Sequence, residues 1–138
     1  MKYYTKEWFR TSQDRDLPFP PRAYRSEYNK NFPNPPEFMK VIDSLHDCEL
    51  ISVTMQGHDL VIAVDAIEHG PLDSAAIVLR NAVVLKQEPG DNLGWLHNEI
   101  YPVKNGYEFH VLFFQYGSGR LYELICECEN VEIRSFKL

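Results

Sequence analysis

The sequence predicts a mainly β (α+β) fold: an antiparallel sandwich or partly open barrel of six to seven strands, with one short helix and a proline- and aromatic-rich N-terminal arm. Three observations predict it. From Glu49 to Val64 apolar residues alternate on both sides of Gly57-His58, the mark of a hairpin with a type II′ turn. Short turn signals, Asn105-Gly106 and Gly117-Ser118-Gly119 among them, separate the later apolar runs. Six of the nine prolines fall between Leu17 and Pro36, which removes that stretch from any sheet interior.

Taken in order, Thr5 caps a short helical turn through Arg10. The arm that follows is extended or polyproline-like. Phe19, Tyr24, Tyr28 and Phe32 interrupt it, and aromatic rings are scarce in disordered chains, so the arm is expected to lie pinned on the body. Asn34 then caps a helix of about ten residues opened by Pro35-Pro36, with Phe38, Val41, Ile42 and Leu45 forming one apolar stripe. In the first hairpin Met55 faces Leu60, Val53 faces Ile62 and Ile51 faces Val64, all on the buried side. After a turn at His69-Gly70-Pro71, a long strand runs from Ala76 to Gln87 with a bulge near Asn81. A strand through Trp95, His97 and Glu99 turns at Asn105-Gly106 into Tyr107–Tyr116, which places Tyr101 opposite His110 and His97 opposite Phe114. Leu121–Cys128 and a strand through Val131 and Ile133 complete the sheet.

A chain of 138 residues reads as one domain, 1–138, with residues 1–36 as arm and 37–138 as helix plus β body. No run approaches 18 apolar residues, and the N-terminus lacks the apolar core of a signal peptide, so neither a membrane nor export is expected. Three cysteines in such a chain read as reduced thiols in the cytoplasm. A net charge of −6 argues against nucleic acid, which demands clustered Lys and Arg. The charge is uneven: residues 1–40 hold 8 Lys and Arg against 5 Asp and Glu, residues 41–138 hold 6 against 15. Either the basic arm lies on its own acidic body, or an acidic face awaits a partner with a basic surface.

Chemistry-bearing residues are few. His46-Asp47-Cys48-Glu49 gathers four side chains able to ligate metal, but no second cluster has the spacing of a metal site, so packing of a tight corner accounts for them and no metal or other cofactor is expected. Cys126-x-Cys128 is half a zinc motif at most, and its thiols read as core. Trp95, His97, Glu99 and Tyr101 share one strand face by alternation and, with His46 and Asp47, form the candidate binding set. There is no P-loop, and Gly117-Ser118-Gly119 satisfies neither a nucleophile elbow nor a dinucleotide fingerprint, so no residue is assigned as catalytic.

Two groups of residues carry a resemblance. MKYYTKEWF resembles the start of an uncharacterised bacterial family whose members open with MKYFTKEW-like sequences, although the Pro-rich arm replaces the longer helical insert that opening implies. Leu45-His46-Asp47, the Trp95-to-Glu99 strand and the terminal strand pair resemble a group of small bacterial β-rich domains, some found near toxin systems. The resemblance implies no assigned activity. The leading expectation is a non-enzymatic interaction module, with an immunity-like masking of a basic toxin surface as one version of it. The competing class is a small-molecule-binding or hydrolytic β-barrel protein with a cleft lined by His46, Asp47, Trp95, His97 and Glu99.

Overall fold

The computed structural model describes residues 2, 5–12, 28–66 and 74–135, and its sheet grows from the first hairpin. β1 (Glu49–Gln56) and β2 (Asp59–Asp65) pair with Met55 opposite Leu60 and Val53 opposite Ile62, as the alternation requires. Gly57 takes φ +65° at the first turn position, where a glycine costs least. The third expected pair is corrected. A bulge between Leu50 and Ser52 puts Leu50, not Ile51, opposite Val64, and Ile51 is left 46% exposed; Met55, expected on the buried side, is 49% exposed near the hairpin tip.

Among the described residues eight strands form rather than six or seven. The expected strand from Ala76 to Gln87 does not bulge at Asn81 but breaks there, at φ +47°, into β3 (Ser74–Arg80) and β4 (Val83–Gln87). β5 (Leu93–Val103), β6 (Gly106–Gln115), β7 (Leu121–Cys128) and β8 (Asn130–Ser135) follow. The antiparallel sheet is open, in the order β4-β7-β6-β5-β1-β2-β3-β8. Its halves meet through one β1–β5 pair, Glu49 with Gly94. They are also stitched where β3 runs into β4 and β7 into β8, because the β3–β8 and β4–β7 ladders belong to one bent pair of chains. Arg80 clasps that corner, with Nη1 donating to Asp59 at 2.6 Å and the guanidinium also bonded to Glu132. The Glu129 backbone N–H donates to the Arg80 carbonyl at 2.9 Å. Leu60, Ile62, Ile77 and Leu79 of one half pack in a single core with Trp95, Phe109, Phe113 and Leu124 of the other.

The β5–β6 turn is also displaced from its expected place. Val103 pairs with Gly106, so Lys104 and Asn105 are the turn residues, and the register moves by two: Glu99 faces His110 and Tyr101 faces Glu108. A second bulge, at Leu96, sets His97 opposite Leu112 and turns Trp95 to the other face. Trp95 is therefore core, and does not share a face with His97, Glu99 and Tyr101 as strict alternation predicts.

Helix α1 (Lys6–Ser12) begins as expected, the Thr5 hydroxyl accepting from the Trp8 N–H at 3.0 Å. α2 is shorter than expected, Glu37–Asp43, with Pro36 at its N-cap and no side-chain cap from Asn34. Its Met39 and Ile42 are buried and it leans on β5 and β8. Among the described residues no helix is long and apolar enough to cross a membrane. Of the arm's rings, Tyr28 is buried and Phe32 lies 6.3 Å from Tyr107; Phe19 and Tyr24 lie outside the described residues, as do all of 13–27. Tyr28 does more than fill space, since its hydroxyl accepts from the buried Ile100 N–H at 2.8 Å. Removing it leaves that donor orphaned, so Tyr28→Phe is expected to cost ~1–3 kcal/mol in chemical denaturation. A loss within experimental error would show that water replaces the phenol.

Candidate functional site

The residues singled out from the sequence separate into three places. The first is the corner between α2 and β1. Ser44–Asp47 wind down from the helix, and Asp47 reverses the chain at φ +69°, a conformation Asp tolerates better than most residues. The corner is locked to β5: the Asp47 N–H donates to the Trp95 carbonyl and the Trp95 N–H to the Cys48 carbonyl, both at 2.8 Å. Cys48 is fully buried below it, and burial pushes its thiol up, with Asp47 adding to the shift. Packing a tight corner thus accounts for Asp47 and Cys48. His46 points outward, Nδ1 2.9 Å from Asp47 Oδ2, with both side chains about half exposed.

His97 joins His46 there, their ring centroids 5.5 Å apart. Trp8 of α1 stands edge-on to the other side of His97 at 5.2 Å. The two histidines line a pocket of about 200 Å³ with Tyr28, Asp43 and Asn98. Burial, and then the neighbouring His46, lower the His97 pKa from 6.5 to about 4. Between those two values the folded chain binds fewer protons than the unfolded one, so stability falls as pH drops from 6.5 toward 4 and levels off below. The loss is expected to reach ~3 kcal/mol. His97→Asn should flatten that part of the stability–pH curve, and an unchanged curve would contradict a buried neutral His97.

The second place is the core. Trp95 meets Phe113 and Phe109 edge-on, and its indole N–H donates to Asn98 at 3.0 Å; Asn98 in turn donates to Asp43 at 3.0 Å. This relay from core to pocket rim depends on the Leu96 bulge, so alternation alone gives no sign of it.

The third place is the outer face of β5 and β6. Glu99 is fully buried, its carboxylate accepting from the Lys2 backbone N–H at 2.9 and 3.2 Å. The Lys2 ammonium sits 4.3 Å above the Tyr101 ring. Burial, with the Glu99 carboxylate beside it, raises the Tyr101 phenol. His110 is held by Glu108, Nε2 to Oε1 at 2.6 Å, and burial keeps its pKa low. Glu99 and Tyr101 are thus roofed by Lys2 and do not line the His46–His97 pocket. Cys126 and Cys128 are core thiols pushed up to about 12 by burial. Among the described residues no three His, Cys, Asp or Glu side chains converge as metal ligands would.

A fourth place went unmarked in the sequence. Beyond Glu49, β1 and β5 part, and a cleft of about 400 Å³ opens between Leu50–Val53 and the segment 87–93. Its floor is Leu93, Phe113 and Leu124, and its ionisable lining is acidic: Glu88, Asp91 and Glu123. Lys6 pairs with Glu88 at 2.6 Å, while Lys86 lies 3.9 Å from Glu88 and 3.7 Å from Glu123. Glu88 is held below the usual carboxylate range, since the Lys6 and Glu123 N–H hydrogen bonds outweigh the opposing effect of burial. Exposed Ile51, Met55, Val83 and Leu85 belong to the two strands that border the cleft. Four large apolar side chains at the open edges of a sheet were legible as strand residues, but not as exposed ones.

No curated protein and no solved structure matches this chain. A family match does, spanning residues 2–116 and so including the corner, the β5–β6 face and the cleft lining except Glu123 and Leu124. The chain belongs to the DUF4085 family, described as a protein of unknown function.

Proposed function

We propose that this chain is a non-enzymatic protein-interaction module, and that the acidic cleft between β1 and the β4–β5 segment receives a basic surface of its partner. The observation that carries the reading is an apolar floor and rim combined in one concavity with three acids against two lysines, Lys6 and Lys86. Apolar contact supplies affinity there, and the acids steer and select a cationic partner. Buried, protonated thiols suit a reducing compartment, in keeping with a cytoplasmic protein. An immunity-like masking of a basic toxin surface is one version of this role.

The test is a partner that copurifies with the chain. Its affinity is expected to fall at least tenfold with Ile51→Arg plus Asp91→Lys, about 1.4 kcal/mol or more, without a change in melting temperature. An unaltered dissociation constant would sink the reading. A second reading, small-molecule binding or hydrolysis, is favoured by one observation, the meeting of His46 and His97 in one pocket beside Asp47. Trp95, Glu99 and Tyr101 lie elsewhere, which leaves that pocket without most of the side chains expected to line it.

A further inference from the structure

Two-residue hairpins close on a hydrogen-bonded pair, and such pairs alternate along an antiparallel ladder. Gln56 with Asp59, and Thr54 with Val61, are then the bonded pairs of the first hairpin. The backbone N–H and C=O groups of Val53 and Met55 consequently point away from β2. On that side the described ladder of β1 ends at Glu49–Gly94, six residues short of Met55. The other bank of the cleft is the segment 87–93, to which β4 contributes its last residue, Gln87. The start of β4 is tied to the hairpin tip by the Ala82 N–H to the His58 carbonyl at 2.8 Å, and its end, Gln87, faces Leu50–Val53 across the cleft. Among the described residues β1 thus presents, beyond Glu49, an edge with no strand partner, beside the floor of Phe113 and Leu124.

We infer that the β1 edge is a strand-addition site for an extended partner segment in which Lys or Arg alternates with Val, Ile or Leu. The inference rests on the interaction reading above and supplies its binding mode. Residues directly opposite in a ladder share a face, and Val53 packs toward the core, so a residue opposite Val53 points at the floor and must be apolar. Its sequence neighbours point outward, where Glu88, Asp91 and Glu123 outnumber Lys6 and Lys86 and leave Asp91 to favour cations. The same acids disfavour a second copy of this chain, whose own acidic cleft would bring like charges together. An open strand with apolar residues at its edge is otherwise an aggregation hazard, and covering it is what a strand-adding partner does.

The probe is the blocked peptide Lys-Val-Lys-Val-Lys-Val-Lys, added to the full chain and followed by amide hydrogen exchange read by NMR. At saturation the Val53 and Met55 amides are expected to exchange at least fivefold more slowly, and binding should weaken in high salt. The same peptide with its central valine replaced by proline keeps the charge but loses a backbone donor, and should bind at least tenfold more weakly. A Glu-Val alternating peptide should not protect these amides. Equal protection by the Glu-Val peptide, equal binding by the proline peptide, or no protection at millimolar Lys-Val peptide would each overturn strand addition. If the copurified partner still weakens on Ile51→Arg plus Asp91→Lys in any of those cases, the interaction reading stands and only its mode is wrong; if it does not, both fall.

Discussion

Gly106→Ala is expected to lower the melting temperature by on the order of 10 °C or more, a loss of ~3–5 kcal/mol for a chain of this size. Gly106 closes the β5–β6 hairpin at φ +148°, a conformation that L side chains rarely adopt, and such strain costs ~1–3 kcal/mol. The larger effect is steric. A Cβ there would overlap the Cys128 carbonyl oxygen and stand 2.7 Å from the Glu129 Cα. Those are backbone atoms with no rotamer to change. Nor can they step aside, because Glu129 is the single residue joining β7 to β8 and its N–H is bonded to Arg80. Gly57→Ala is the matched control. Gly57 also has positive φ, +65°, but open space around it, so only the conformational cost of ~1 kcal/mol applies. Equal melting temperatures for the two variants would show that the corner yields.

That glycine also shows where the sequence misleads. Asn-Gly between apolar runs is a strong hairpin signal, and the hairpin is there, but its turn is Lys104-Asn105. Gly106 answers a different demand, close passage of the β7–β8 corner, which is distant in sequence and invisible to a local rule. The displacement is by two residues, so every side chain of β6 keeps its face. One-residue irregularities are less forgiving. The bulge at Leu50/Ser52 exposes Ile51, and the one at Leu96 sends Trp95 into the core. Alternation reveals a strand and its two faces, but a bulge depends on what the neighbouring strand and helix require.

The candidate site was legible to the same depth. His46 and His97, 51 residues apart, do meet, because the corner after α2 hydrogen-bonds to β5 beside the bulge. Glu99 and Tyr101 were correctly placed on one face with His97, yet they are buried by Lys2, a roof that no pattern within β5 announces. The acidic cleft was foreshadowed only as an uneven charge, −9 over residues 41–138. Its location follows from the parting of β1 and β5, set by the two stitched corners rather than by any residue within the cleft.

Ile62→Asp is expected to be the most damaging single change in the first hairpin, unfolding the chain or removing ~4 kcal/mol or more. Ile62 is fully buried opposite Val53, so the substitution forfeits ~1.5–3 kcal/mol of apolar burial before any charge is considered. Its side chain belongs to the apolar core with Leu60, Val64 and Ile77, which gives a carboxylate no cation to meet. The new group then takes up a proton on folding and its pKa rises. A raised carboxyl pKa means that the folded state holds the proton longer, so the penalty is smallest below the unfolded value of about 4 and grows as pH climbs toward the folded value. Ile62→Asn, matched in size and unable to ionise, isolates that term: the gap between the two variants should widen between pH 4 and pH 7. Thr54→Asp, exposed on the same hairpin, should stay within ~0.5 kcal/mol of the parent. If Thr54→Asp proves the worse of the two carboxylates, or if the Asp–Asn gap at Ile62 is flat with pH, then this face of β2 is not the inside of the protein.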